Sequence, residues 1–235
     1  MSADWARAWL RASAVAVHQQ SAWLTELDAA IGDGDHGINL DRGFRQVVAR
    51  LDAEGPRDIS AGVLLAEAGR VILGSVGGAS GALYGRALQR AGAALDTPDG
   101  LDAPDGLDAP DGLDAPDGGT RAQASGLWVV VRALETATDA IAALGRSGPG
   151  DKTMLDALLP AAAGLRASAT AGHALRDALW RAVEAADRGA EATRPLVARR
   201  GRASYLGERS AGHLDPGAAS SLLIVRALAS TADDR

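Results

Sequence analysis

The chain has 235 residues, of which 47% are hydrophobic and 23% charged, and it contains no cysteine. Disulfide frameworks, thiolate metal sites and cysteine nucleophiles are therefore excluded. No apolar run approaches the ~18 residues of a membrane span, and the first residues do not read as a secretory signal, so a globular, cytoplasmic protein without a membrane partner is expected. The length favours one large domain, or one domain with a sizeable insertion.

Apolar residues are spaced three and four apart over most of the chain, which indicates helices. The first such stripe runs through residues 5–17, and two more lie within residues 155–165 and 174–183. An apolar run that begins at Leu127 continues into an alanine-rich helical pattern. Because no long stretch alternates with the period of a strand, we predict an all-α domain, an antiparallel bundle of about eight helices joined mostly by short connections.

The segment LDAAIGDGDHGINLDRGF (residues 27–44) is the first to interrupt the helical pattern. Asp28, Asp33 and Asp35 place three carboxylates within eight positions, and the intervening glycines permit an unusual turn. Converging carboxylates repel one another unless a cation lies between them, and oxygen ligands suit Mg²⁺ or Ca²⁺. The segment therefore predicts a metal site. The alternative is an acidic turn that only caps the helix expected to start near Ile38.

His36 directly follows this acidic cluster. It could contact a phosphate, bind a metal, accept a phosphoryl group or act as a structural cap. The expected helix start favours the phosphate contact, since the first N–H groups of a helix and its dipole attract anions.

The segment GSVGGASGALYG (residues 74–85) is rich in glycine, and a helix is expected to begin near Ala82. Small residues of this kind let backbone N–H groups approach a phosphate, but they also allow two helices to pack closely. A Walker A sequence is not the source of any phosphate binding here, because Asp151 precedes Lys152 where that motif requires glycine.

Residues 95–118 are four copies of one hexapeptide, LDTPDG followed by three of LDAPDG. They supply eight of the 30 acidic residues and no cation, so the net charge of -6 originates in this repeat. The nearly neutral remainder gives no basic surface for nucleic acid. A proline and a glycine in every copy exclude a helix, and the spacing matches no calcium-binding loop. We expect a solvated loop inserted into the domain.

The segment GRASYLGERSAGHLDPGAAS (residues 201–220) supplies Arg202 and Arg209, which can bind phosphate, and a DPG turn before the last helix. Glycine-rich segments and clustered aspartates on a helical chain together indicate binding of a magnesium–nucleotide complex.

Four strings in this sequence resemble, in order and spacing, the nucleotide-binding L subunits of dihydroxyacetone kinases: GDGDHGINLDRGF, SVGGASGALYG, GPGDKTMLDAL and GRASYLGERSAGHLDPGA. The similarity covers nearly the whole chain outside residues 95–118. It implies an antiparallel eight-helix barrel that holds ADP or ATP at one end, with two Mg²⁺ ions between the phosphates and the aspartates.

The resemblance also implies roles for individual residues. The metal ligands would be Asp28, Asp33 and Asp35. The residues near the phosphates would be His36, Gly37, Ile38, Asn39, Ala79 and Ser80. The remainder of the nucleotide pocket would be formed by Gly145, Met154, Arg202, Asp215, Pro216 and Gly217.

In this family a separate K subunit or domain binds the triose covalently through a histidine. The resemblance thus implies that this chain is one part of a two-part kinase and docks its nucleotide end on a K subunit. Some members use free ATP, whereas others retain ADP that a phosphotransferase-system phosphocarrier, the M subunit, rephosphorylates. An L subunit on a chain of its own favours the second form. The insertion departs from the family pattern, and we expect it to spare the pocket.

Three alternatives stay open. The same fold could serve a kinase for another small sugar or for a carrier-bound fatty acid. His36 could itself be phosphorylated, without any nucleotide. The chain could also be an interaction protein whose bound ADP reports a phosphorylation state to a regulator.

Overall fold

The computed structural model describes residues 1–55, 57–97 and 118–233. Within these ranges the chain forms nine α-helices and one 3₁₀ segment, and it contains no strand. The helices are α1 (Ala3–Gln19), α2 (Ser21–Ile31), α3 (His36–Glu54), α4 (Ala61–Ser75), α5 (Gly78–Asp96), α6 (Gly118–Gly145), α7 (Leu155–Thr170), α8 (Leu175–Glu191) and α9 (Pro216–Asp233). The 3₁₀ segment spans Arg202–Ser210, between α8 and α9. The all-α prediction is confirmed.

Eight of these helices pack in a closed ring. α1 contacts α3, each following helix contacts the next one in the chain, and α9 returns to α1. Apolar side chains such as Leu10, Leu65, Ile141 and Leu165 are fully buried in the core between them. Helix α2 is the ninth helix of the described residues, and it packs against α3, α9 and the 3₁₀ segment. The predicted number of eight helices is therefore corrected, because α1 and α2 meet at Gln20 without a glycine or proline to signal the break.

Neighbouring helices in the ring run antiparallel. At the junction of α1 and α9, the indole N–H of Trp5 donates to Thr231 Oγ1 at 2.8 Å, and that of Trp9 donates to the carbonyl of Ile224 at 3.0 Å. The start of α1 thus lies beside the end of α9. Because directions alternate around the ring, α3, α5, α7 and α9 all begin at the same end.

Helices α4 and α5 approach each other closely through glycines. A Cβ atom added at Gly69 would lie 2.6 Å from the carbonyl oxygen of Gly85, and Gly62 faces Gly92 in the same way. The glycine-rich segment 74–85 is mostly helical, because α4 ends at Ser75 and α5 begins at Gly78. Only Val76 and Gly77 connect the two helices. The predicted helix start near Ala82 is corrected to Gly78.

The predicted boundaries of the insertion also need correction. Leu95 and Asp96 belong to α5, where Leu95 packs against the core and the Asp96 carboxylate accepts a hydrogen bond from Ser60 Oγ at 2.8 Å. Gly118 belongs to α6. The solvated loop predicted for the remaining repeat falls on residues 98–117, outside the described residues.

None of the helices in the ranges described above is long and apolar enough to cross a membrane.

Replacing Gly69 by alanine tests the close packing of α4 on α5. Gly69→Ala is expected to lower the free energy of unfolding by about 1–3 kcal/mol, because the new methyl group presses on the backbone of α5. Gly74→Ala is the matched control in the same helix, since a Cβ there meets nothing within 4 Å. It should leave the unfolding free energy unchanged or raise it by up to about 1 kcal/mol. Urea unfolding followed by circular dichroism measures both, and equal effects would contradict the packing.

Candidate functional site

A cleft opens at the end of the ring where α3, α5 and α9 begin. The first N–H groups of each helix have no partner within that helix, and the helix dipole adds a partial positive charge at this end. The residues that directly precede α3 and α5, Asp35 and Gly77, do not cap these helices with a side chain of their own. Three helix starts around one cleft favour an anionic ligand.

All but two of the site residues that the resemblance implies line this cleft. They are Asp28, Asp33, Asp35, His36, Asn39, Ala79, Ser80, Gly145, Met154, Arg202, Asp215, Pro216 and Gly217. The two exceptions are Gly37, which packs against Ser21 and Thr25 of α2, and Ile38, whose side chain is exposed.

The three aspartates of the predicted metal site lie close together. One carboxylate oxygen from each of Asp28, Asp33 and Asp35 lies within 4.8 Å of the other two. Asp28 extends from the last turn of α2, and the other two belong to the turn before α3. A divalent cation between these oxygens would offset their mutual repulsion, and a set of hard oxygen donors suits Mg²⁺.

Asp28 also holds the turn in place. Its Oδ2 accepts hydrogen bonds from the backbone N–H groups of Asp35 at 2.9 Å and His36 at 3.2 Å. The capping alternative is therefore correct in part, because a carboxylate of α2 satisfies donors at the start of α3. The same contact fixes the spacing of the acidic cluster.

Arg202 reaches the acidic turn from the opposite wall of the cleft. Its Nη1 lies 2.7 Å from Asp33 Oδ2. The wall formed by residues 200–203 thus closes over the acidic turn. Arg209, the other arginine predicted to bind phosphate, is exposed and does not line the cleft.

Both ring nitrogens of His36 have hydrogen-bond partners. Nδ1 lies 3.0 Å from Ser80 Oγ, at the start of α5, and Nε2 lies 2.8 Å from Ser220 Oγ, in α9. Burial lowers the pKa of His36 below its ordinary value, although the nearby carboxylates oppose the shift, so the imidazole is neutral at pH 7. His36 therefore links the starts of three helices, and neither of its nitrogens lacks a partner.

The hydroxyl of Tyr84 extends this network beneath the cleft. It lies 2.7 Å from Ser220 Oγ and 2.9 Å from Ser221 Oγ. Burial raises the pKa of Tyr84 to about 12, so the phenol stays protonated. A buried network whose members are satisfied holds α5 and α9 at a fixed separation.

Asp215 stabilises the start of α9. Its Oδ2 accepts a hydrogen bond from the backbone N–H of Ala218 at 2.7 Å. Burial raises the pKa of Asp215 to about 7, while the N–H of Ala218 and the positive charge of Lys152 act in the opposite direction. This carboxyl group consequently titrates near neutral pH.

Several cleft residues were not predicted from the sequence, among them Leu83, Ile141, Ser147, Lys152 and Thr153. Leu83 and Ile141 carry no polar group, so their sequence signal is that of any core residue. Lys152 had a signal that was not used, because it is the only lysine in the chain.

Comparison with known proteins agrees with this geometry. Residues 30–230 match the DAK2 domain. The chain is 36% identical over 226 residues to the ADP-binding subunit DhaL of the PEP-dependent dihydroxyacetone kinase of Escherichia coli strain K12. The aligned residues cover 96% of this chain and 95% of that protein. The chain is likewise 36% identical over 228 residues to the DhaL subunit of PEP-dependent dihydroxyacetone kinase 1 of Listeria innocua, covering 97% and 96%.

Solved structures show the same fold. The dihydroxyacetone kinase of C. freundii, in its native form, superposes with a TM-score of 0.66 at 25% identity, over 96% of this chain and 34% of that one. The structure of that kinase in complex with AMP-PNP and Mg²⁺ superposes with a TM-score of 0.64, also at 25% identity, over 95% of this chain and 33% of that one. The chain belongs to the DAK2-domain family. Within that family it is similar over nearly its whole length to DhaL subunits, so the resemblance found in the sequence is confirmed.

The raised pKa of Asp215 predicts a specific pH dependence of stability. Between the ordinary carboxyl pKa near 3.9 and about 7, the folded chain binds a proton at Asp215 that the unfolded chain does not. The resulting stabilisation is complete below the pKa of the unfolded chain and is lost as the pH rises through the pKa of the folded chain. The variant Asp215→Asn has no carboxyl group to titrate, so it does not lose stability in this way. The difference in unfolding free energy, variant minus wild type, should therefore rise by about 1–3 kcal/mol between pH 5 and pH 8.

Urea unfolding at several pH values measures this difference. Asp187→Asn, which replaces an exposed carboxylate of α8, is the control and should show no comparable rise. A constant difference between Asp215→Asn and wild type from pH 5 to pH 8 would show that Asp215 is ionised throughout.

Proposed function

We propose that this chain binds ADP or ATP with two Mg²⁺ ions in the cleft, and that it passes a phosphoryl group to dihydroxyacetone held on a separate K subunit. The observation that carries the proposal is the meeting of two features in one cleft. Three carboxylates lie within 4.8 Å of one another, and three helices begin around them. Carboxylates attract the metal and helix starts attract the phosphates, so the cleft suits a magnesium–phosphate complex.

Asp28, Asp33 and Asp35 are the proposed metal ligands. Bound Mg²⁺ would neutralise the charge that develops on the transferred phosphoryl group. The N–H groups of Asp35 and His36 already hold the Asp28 carboxylate beside the other two. Arg202, now paired with Asp33, is a cation of the cleft that could turn to the bound anion.

The phosphates are proposed to lie against the first turns of α3 and α5. Ala79 and Ser80 belong to the first turn of α5, where backbone N–H groups are available. Residues 36–39 form the first turn of α3, so any contribution from Gly37 and Ile38 would come from their backbone.

The adenosine part is proposed to occupy the opposite wall. Gly145 and Met154 lie there, together with Arg202 and residues 215–217. Apolar side chains of Leu83, Ile141 and Met154 would cover the base, while Arg202 is able to stack on it.

The phosphoryl acceptor is proposed to come from the partner. In the described cleft His36 is the only histidine, and both its nitrogens are already bonded to serines. It is therefore poorly suited to bind a triose carbonyl covalently, and equally poorly suited to act as a phosphohistidine carrier. Both relatives named above are PEP-dependent and carry the description ADP-binding subunit, which supports retained ADP that a phosphotransferase-system phosphocarrier, the M subunit, rephosphorylates.

Asp33→Asn tests the metal site. Removing one anionic ligand should weaken Mg²⁺-dependent ADP binding at least about tenfold, because the cation is the link between the carboxylates and the phosphates. Asp52→Asn is the matched control, since that carboxylate is exposed and pairs with Arg11 away from the cleft. Isothermal titration with ADP, in the presence and absence of Mg²⁺, measures both variants. Undiminished ADP affinity in Asp33→Asn, with an unchanged helical circular dichroism spectrum, would refute the assignment.

The acceptor is tested by reconstitution. The chain charged with ATP should phosphorylate dihydroxyacetone only when a K subunit is added, because both nitrogens of the one histidine in the described cleft are already bonded to serines. Turnover of dihydroxyacetone by the isolated chain would show that the acceptor site lies on this subunit. Turnover of another sugar but not of dihydroxyacetone by the reconstituted pair would favour the other-sugar alternative.

A further inference from the structure

Residues 194–212, here called the arginine loop, leave the ring between α8 and α9 and return to nearly the same point. The N–H of Gly212 donates to the carbonyl of Arg194 at 2.7 Å, so the two ends of the loop meet at a neck. Inside the loop, the N–H of Ala198 donates to Ser210 Oγ at 2.8 Å. The loop is thus compact, and it carries Arg202 to the acidic turn, where Arg202 pairs with Asp33.

Lys152 lies directly at this neck. It is the only lysine of the chain, and its side chain is 1% exposed. Its Nζ donates to the carbonyl of Thr193 at 2.6 Å and to that of His213 at 2.5 Å, and the carbonyl of Arg194 lies at 3.5 Å. The ammonium therefore bridges the residues that enter the loop and those that leave it.

This arrangement uses the hydrogen-bonding capacity of the ammonium group. An ammonium has three N–H donors, and all three face carbonyls of the neck. Lys152 lines the cleft, but its ammonium is engaged by the carbonyls of the neck. Its φ of +62° also lies in the left-handed region, which a non-glycine residue adopts at a cost and keeps only when its surroundings hold it there.

The neck is joined to the start of α9 as well. Thr193 Oγ1 accepts a hydrogen bond from the backbone N–H of Asp215 at 3.0 Å. The residues after Lys152, namely Thr153 and Met154, line the cleft on their own account. One buried ammonium consequently sits beneath three parts of the cleft wall: the arginine loop, the turn at residues 215–217 and its own segment.

We propose that Lys152 is a positioning residue for the nucleotide: its ammonium closes the neck of the arginine loop and so holds Arg202 where the nucleotide binds. The inference rests on the proposed nucleotide site and goes beyond it, because it assigns the geometry of one wall to a lysine whose ammonium is held by backbone carbonyls. It predicts that Lys152 acts on ADP affinity through Arg202.

A double-mutant cycle separates this role from general structural support. Lys152→Met keeps the length of the side chain but removes the charge-assisted hydrogen bonds, so Mg²⁺-dependent ADP affinity should fall about tenfold or more. In an Arg202→Gln background the same substitution should reduce ADP affinity much less, because the loop then has no guanidinium at position 202 to hold in place. Isothermal titration calorimetry measures the ADP affinity of the wild type, the two single variants and the double variant. An equal loss in both backgrounds would overturn the proposal.

A second measurement needs no variant. The single lysine can be followed by reaction of the full chain with acetic anhydride and mass spectrometry of the peptide that contains Lys152. Acetylation should be much slower in the folded chain than in urea, and slower again with ADP and Mg²⁺, because a ligand held by the loop keeps the neck closed. An acetylation rate that nucleotide leaves unchanged would contradict the proposal, and this result stands even if Lys152→Met does not fold.

The outcomes also separate this inference from the proposed function. If the wild-type chain binds no ADP with Mg²⁺, both fail. If the wild-type chain binds ADP and Lys152→Met binds it equally well, the nucleotide site stands and only the positioning role of Lys152 is wrong.

Discussion

The alternation of helix direction around a closed ring is the constraint on which the site depends. Each helix that packs antiparallel to its neighbour reverses the chain, so every second helix must begin at the same end. The starts of α3, α5 and α9 are brought to one cleft by this geometry alone. Their N–H groups then supply anion-binding capacity without a basic side chain at each position.

The acidic cluster introduces the opposite charge at the same place. Three carboxylates in a cleft surrounded by helix starts would be ill suited to a free anion and only partly compensated by Arg202. A ligand that carries both signs would satisfy the whole cleft, with its metal facing the carboxylates and its phosphates facing the helix starts. The cleft is therefore complementary to the complex of metal and phosphate, more than to either component alone.

Much of this site could be predicted from the sequence, because its chemistry resides in short segments. The three aspartates lie within eight consecutive residues, and the DPG turn marks the start of α9. The glycine-rich segment was harder to interpret, since Gly77 at the start of α5 and Gly85 at the contact with α4 serve different purposes but look alike in a sequence. Local patterns also did not separate α1 from α2, or show that Leu95 still packs on the core.

Lys152 illustrates what local patterns cannot give. Its partners are the carbonyls of Thr193, Arg194 and His213, at least 41 residues away along the chain, and carbonyls are present at every position of a sequence. Only the fold shows that these carbonyls converge. Similarly, the partners of His36 in α5 and α9 reveal that both its nitrogens are engaged, which the sequence alone left open.

Anomalous diffraction from crystals of the chain grown with ADP and Mn²⁺ in place of Mg²⁺ tests the central claim most directly. The account predicts two anomalous peaks within ligand distance of the carboxylates of Asp28, Asp33 and Asp35, with the terminal phosphate of ADP against the first turns of α3 and α5. ADP bound elsewhere on the chain, or bound in this cleft with no metal at the three aspartates, would contradict it.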